Sequence, residues 1–112
     1  MTDCLFCKMI TGEITPDKVY ENDCLLAFRD INPRAPTHIL IIPKQHVATL
    51  NDLNDPVLAG ELLLAAIKIA EMEGLSEAGY RTVINCNENG GQEVFHLHLH
   101  LLGGRKLTWP PG

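Results

Sequence analysis

From His96 to Leu101 the chain alternates strictly, His96-Leu97-His98-Leu99-His100-Leu101. A helix would scatter this pattern around its circumference, whereas a β-strand sends successive side chains to opposite faces. The segment is therefore read as a strand running from Val94 to Leu102, its leucines turned to a core and its three histidines side by side on the other face. With a rise of ~3.3 Å per residue, neighbouring imidazoles stand about 6.7 Å apart at the backbone, near enough for the rings to converge on one small group. Ordinary surface histidines would explain a single such residue. Here three of the chain's five histidines fall in phase, which marks the strand as a site.

The remaining sequence supplies a sheet for that strand to join. Cys4 to Ile10 reads as a helical turn or two closed by Thr11-Gly12, and Lys18–Glu21 with Cys24–Phe28 as a β-hairpin. Two prolines in Asp30–Pro36 break either pattern, and Ile39-Leu40-Ile41-Ile42, apolar without alternation, predicts an inner strand covered on both faces and ended by Pro43. A long helix follows, with Asp55 as N-cap, Pro56 in its first turn and Gly74 at its end. Its core stripe is Leu58, Leu62, Ala65, Ile69 and Met72; the opposite stripe mixes Glu61, Lys68 and Glu71 with the apolar Val57 and Leu64. A strand at Tyr80–Asn85 is joined to the histidine strand through a Gly90-Gly91 turn. The order predicts one α+β domain over residues 1–112, a mainly antiparallel five-stranded sheet with one long and one short helix.

At 112 residues the chain buries a modest core, and Val57 and Leu64 on the polar side of the long helix suit a homodimer seam. Nine Lys and Arg against fourteen Asp and Glu leave a formal charge of −5, which opposes binding to nucleic-acid backbones or anionic membranes. No apolar run approaches the ~20 residues of a membrane helix, and Met1-Thr2-Asp3-Cys4 lacks a basic region followed by an apolar stretch. The expectation is a soluble, cytoplasmic protein with reduced thiols.

Two chemistries use three histidines on one strand. Neutral imidazole is a nucleophile at pH 7 and its cation offsets phosphate charge, which suits nucleotidyl transfer through a phospho-histidine. Three imidazoles also hold a catalytic zinc that activates water. Spacing alone leaves both open. Cys4-Leu5-Phe6-Cys7 has the spacing of half a zinc site, but two thiolates do not close a tetrahedral shell, and inert thiols or a redox pair are the alternatives.

The stretch Gly90-Gly91-Gln92-Glu93-Val94-Phe95-His96-Leu97-His98-Leu99-His100-Leu101-Leu102-Gly103-Gly104-Arg105, with Phe28-Arg29-Asp30-Ile31 and Ala35-Pro36-Thr37-His38, resembles the histidine-triad (HIT) family, in particular its purine nucleoside phosphoramidate hydrolases. The likeness runs from about residue 4 to the Trp109-Pro110-Pro111-Gly112 end. It implies a HIT-like fold and a nucleophile that works without a catalytic cofactor: His98 attacks the α-phosphorus of a purine nucleoside 5′-phosphoramidate or aminoacyl-adenylate, and water then releases the monophosphate. His100 and His38 would bond to phosphate oxygens or move protons, and the His96 carbonyl would orient the His98 ring. Leu5, Phe6, Phe28 and Ile31 would wall the base pocket, Asp30 would accept from the ribose, and Asn85 would help hold ribose or phosphate. Gly91, Gln92 and Val94 would border the nucleotide, with backbone N–H groups at the Gly90-Gly91 turn donating to phosphate. A dinucleoside polyphosphate hydrolase would use the same His98, and a nucleotide- or partner-binding regulatory module would carry it incidentally.

Members of the family resembling this chain close a structural zinc shell from such a Cys pair, the His of a Pro-Lys-x-His segment and the first triad His, here Cys4, Cys7, His46 and His96. One departure stands out. Position 93 is Glu where better-known members carry a Ser that bonds to the phosphate or leaving group, and a carboxylate there repels phosphate unless it faces away or is protonated.

Overall fold

Both faces of the sheet are apolar because both are covered. In the computed structural model, which describes residues 3–112, the strands are β1 (Lys18–Glu21), β2 (Leu25–Arg29), β3 (Thr37–Pro43), β4 (Tyr80–Val83) and β5 (Leu99–Gly103). Met1 and Thr2, half of the Met1-Thr2-Asp3-Cys4 start considered above, lie outside the described residues. The strands form one antiparallel sheet in the order β1-β2-β3-β5-β4, so the unalternating β3 is indeed an inner strand.

On one face Leu25, Ala27, Ile39, Ile41, Leu97, Leu99 and Leu101 pack under the long helix α2 (Pro56–Met72). On the other, Leu26, Phe28, Leu40 and Ile42 pack against Phe6 of the short helix α1 (Leu5–Thr11). Each fully buried Leu or Ile of these layers contributes roughly 1.5–3 kcal/mol. Helix α1 is capped by Cys4, whose sulfur accepts from the Cys7 N–H, and stopped by Gly12 at φ +89°. Asp55 caps α2 by accepting from the Val57 N–H.

Several local expectations change. Beside the one long and one short helix there is a third, α3 (Asn87–Gly90), and a 3-10 turn at Leu50–Asp52. The Gly90-Gly91 pair is therefore no hairpin turn; Gly91, at φ +80°, ends α3. The histidine strand pairs only from Leu99 onward. Its ladder on β3 ends at Ile41–Leu99 because the next residue of β3 in line to bond is Pro43, which has no N–H to give, and the Leu97 N–H turns to the Val47 carbonyl at 2.7 Å. The paired part of β4 likewise stops at Val83, short of Asn85.

Met72, placed in the core stripe, is 54% exposed. Gly74 (φ +74°) folds the chain back, so that the Leu75 N–H reaches the Ala70 carbonyl and the Leu75 side chain fills that end of the core. The outer face of α2 carries Val57 and Leu64 as expected, and also Leu63 and Ile67, each more than half exposed. Among the described residues no helix is long and apolar enough to cross a membrane.

Candidate active site

The alternation places His96, His98 and His100 on the α1 side of the sheet. The Phe6 ring meets His98 edge-on at 5.2 Å between centroids and His96 at 5.8 Å, and His98 meets His100 at 4.9 Å. Leu40 of β3 pairs with His100, so His38, two residues earlier, lies on the same face and diagonal to it.

The hydrogen-bond partners assign every proton of this group. His98 Nδ1 lies 2.7 Å from the His96 carbonyl, which can only accept; Nδ1 therefore carries the hydrogen and Nε2 keeps its lone pair. The Arg34 N–H donates to His38 Nδ1 at 3.0 Å, so a neutral His38 is protonated on Nε2, which donates to His100 Nδ1 at 2.9 Å. His100 must then bear its proton on Nε2, a buried atom with no partner among the described residues. The result is an imidazole lone pair on His98 beside a fixed, unspent donor on His100.

Electrostatics keep the donor neutral. Burial pushes His100 down to about 4, with His98 and His38 adding to the effect against Asp30. Burial also lowers His38, with Arg34 adding to it and Asp30 opposing. Asp30 lies 3.5 Å from His38 Nε2 and accepts from the Asn32 N–H. Asp30, His38 and His100 bring one candidate ligand atom each within 4.8 Å of one another, but a cation there needs the lone pair of His38 Nε2, which the Arg34 N–H denies it.

A second cluster lies at the head of α1. Cys4 Sγ is 3.3 Å from His96 Nδ1, Cys7 Sγ is 3.3 Å from His46 Nδ1 and 3.6 Å from His96 Nδ1, and the two Nδ1 atoms are 3.2 Å apart. His96 Nε2 donates to the Pro43 carbonyl at 2.8 Å, which turns its lone pair toward the sulfurs. A tetrahedral zinc with bonds of ~2.0–2.3 Å sets its ligands about 3.3–3.8 Å apart. The donor set fits such a shell: Cys4, Cys7, His46 and His96 would hold the ion and supply a cross-link between α1 and the sheet, all four positions filled by protein. Burial and the neighbouring Cys4 raise the Cys7 thiol, and burial lowers His96, so the unpaired ligands resist charging.

The other expected residues fall in two groups. Phe6 and Phe28 are buried and in edge-to-face contact at 5.4 Å, and Val94 packs beside them. Leu5 is 42% and Ile31 89% exposed. Asn85 is half-buried, and a Cβ on Gly90 would stand 3.6 Å from the Asn85 carbonyl carbon. The Gly91 N–H is spent on the Glu88 carbonyl and the Gln92 N–H on that of Asn87, so these two backbone donors close the α3 turn. The Gln92 side chain is also fully engaged, donating to Ala48 and Val94 carbonyls and accepting from the Asn87 N–H. Glu93 is exposed to solvent.

Two groups escaped the reading of the sequence, the Arg34 N–H and the Pro43 carbonyl, which fix the rings of His38 and His96. Both are backbone groups, invisible to residue type; only the prolines near them hinted at an irregular chain path.

The family model described as the HIT domain matches residues 11–107. The chain is 52% identical to the purine nucleoside phosphoramidase of Escherichia coli strain K12, over 92% of this chain and 88% of that one. It is 51% identical to the 14 kDa zinc-binding protein of Zea mays, over 96% and 87% respectively. The crystal structure of a HIT family hydrolase from Legionella pneumophila superposes with a TM-score of 0.96 at 61% identity, covering 98% of this chain and all of that one. With this sequence match and this shared architecture, the chain belongs to the HIT domain family.

Proposed function

We propose that this protein hydrolyses purine nucleoside 5′-phosphoramidates or aminoacyl-adenylates through a nucleotidyl-histidine on His98. The observation that carries the reading is the bond from His98 Nδ1 to the His96 carbonyl, which selects the tautomer with a free Nε2 lone pair. The name of the Escherichia coli relative and the hydrolase structure from Legionella support the same reaction class.

In the first step His98 Nε2 forms a bond to the α-phosphorus while the phosphorus–nitrogen bond breaks, its electron pair going to the nitrogen, which takes a proton from water and leaves as the amine; in an aminoacyl-adenylate the phosphorus–oxygen bond breaks instead and the amino acid leaves as its carboxylate, with no proton needed. Charge gathers on the phosphoryl oxygens, where the unspent His100 Nε2–H is the group suited to receive it. With His38 and His100 neutral and their other nitrogens committed, the pair serves as hydrogen-bond donor rather than proton source. Water then attacks phosphorus, the bond to His98 breaks back onto Nε2, and the monophosphate departs with a proton lost to solvent. A zinc held by Cys4, Cys7, His46 and His96 would supply a structural cross-link, outside both steps. The working form is a homodimer joined through the outer face of α2.

Acid quench of the protein turning over adenosine 5′-phosphoramidate labelled at phosphorus should leave label on His98. His98→Asn should lose label and turnover, about 10³-fold or more, while binding adenosine monophosphate within about tenfold of the parent. Substantial turnover by His98→Asn would overturn the assignment. Parallel turnover of diadenosine polyphosphate separates the anhydride-cleaving alternative.

A further inference from the structure

The Arg34 N–H that fixes His38 belongs to a loop, and a side chain from beyond β5 holds the same peptide region of that loop. Beyond the end of β5, Arg105 reaches back with Nη2 to the Arg34 carbonyl at 2.8 Å and with Nη1 to the Lys106 carbonyl at 3.2 Å. The residue before it, Gly104, has φ +96°, and a Cβ there would stand 2.8 Å from Pro36 Cβ. Thr37 pairs with Gly103 at the same end of the sheet. The strand that carries His100 therefore continues directly into the two residues that pin the loop whose peptide faces His38.

We propose that Arg105 is a positioning residue for the reaction of the preceding section. By holding the Arg34 carbonyl it keeps the Arg34 N–H on His38 Nδ1, and through His38 Nε2 it keeps the free proton of His100 on Nε2. The chain of contacts is Arg105 to the Arg34 carbonyl, the Arg34 N–H to His38, and His38 to His100. Release of the loop frees His38 Nδ1 to carry the ring proton in place of Nε2, which then has no hydrogen to give to His100 Nδ1, and His100 loses its fixed donor. Asp30 and Arg34 from the loop and His100 from β5 are the charged or titratable groups facing His38. Gly104 acts beside Arg105: a side chain there pushes on Pro36 and displaces the loop from its other end.

The test reads the unliganded protein first. In Arg105→Ala the Arg34 amide should exchange with solvent about tenfold faster, the loss of roughly one charge-assisted hydrogen bond, while the Ile41 amide is unchanged. The ring nitrogen spectrum of His38 should pass from a fixed Nε2–H form to an averaged one. With adenosine 5′-phosphoramidate, kcat should fall about tenfold with KM within about threefold, and the acid limb of kcat should move to higher pH. Arg105→Lys, which keeps one donor, should recover part of each change, and Gly104→Ala should reproduce them. Unchanged Arg34 exchange in Arg105→Ala overturns the proposal, and so does faster exchange with kcat and its pH profile intact. If His98→Asn proves active, the reaction falls while the exchange and ring readouts stand, so the two failures are told apart.

Discussion

His96 and His98, two residues apart on one face, are joined by a bond in which the backbone of the first holds the ring of the second, Nδ1 to carbonyl at 2.7 Å. The His96 ring itself looks the other way, to Cys4 at 3.3 Å. One residue thus belongs to two centres, through its main chain to the nucleophile and through its side chain to the thiols. A change of side chain at 96 acts on the second while leaving the carbonyl for the first.

Protein purified without added metal should contain one zinc per chain, measured by elemental analysis and lost in Cys4→Ser and His46→Ala. Chelation should lower the melting temperature, more at acidic pH, because metal binding favours the folded state and needs deprotonated ligands. At a temperature where the fold survives, much of the turnover should remain, since His98 and His100 lie outside the shell. Absence of zinc together with no melting shift on its addition would leave the cysteines as ordinary thiols.

Stability should fall as the medium becomes acidic. Above pH 6.5 the buried histidines are neutral in both folded and unfolded chains and contribute nothing. Below it the unfolded chain binds protons that folded His38, His96 and His100 refuse. For His100, lowered from 6.5 to about 4, the loss approaches about 3 kcal/mol across that window and then levels off. Urea unfolding between pH 7 and 4 should show this decline, and His100→Gln should flatten it; an identical slope in that variant would exclude His100 as its source.

The outer face of α2 supplies the test of assembly. Val57 and Leu64 are exposed by 68% and 66%, with Leu63 and Ile67 beside them. Burying this stripe between two copies would remove water from four apolar side chains, so Leu64→Glu should shift sedimentation at micromolar concentration from dimer to monomer. A parent protein that sediments only as monomer removes the seam.

The fold was legible where side-chain type follows from burial. The unbroken apolar run of β3 announced a strand covered twice, and the His-Leu alternation announced which face carries chemistry. What escaped was set by main-chain geometry. Pro43 ends a ladder that the pattern prolonged to Val94, and Leu75, returning past Gly74, fills the place assigned to Met72. In the site, residue types located the histidine strand and the Cys4/Cys7 pair, the family resemblance added His46 and His96 to that pair, and the proton positions depend on carbonyls and N–H groups that every residue possesses.

Arg81 anchors the C-terminal tail. Arg81 Nη2 donates to the carbonyls of Leu107 and Thr108, at 3.4 and 3.0 Å, and its guanidinium lies 5.9 Å from the Trp109 ring centre. Trp109 is 80% exposed, so the tail contributes little core. Ending the chain after Leu107, or changing Arg81→Ala, should alter the ratio of kcat/KM between phosphoramidates of different amines by more than about threefold. The melting temperature should move by only a few degrees, in keeping with a loss of about 1 kcal/mol or less. A changed melting temperature with an unchanged ratio would make the tail a structural element.

The covering of the sheet on both sides also governs how the chain tolerates change. Along 96–101 the odd positions, Leu97, Leu99 and Leu101, face α2, and the even ones face α1 with the histidines. A saturation library of this segment, sorted once for folded protein and once for turnover, should yield two interleaved records with a period of two. Leucine positions would be depleted in the first sort, His98 and His100 only in the second, and His96 in the first through its ring alone. Drift in substrate preference can therefore proceed on one side of a strand while the other side, a single peptide bond away, stays under an unrelated constraint.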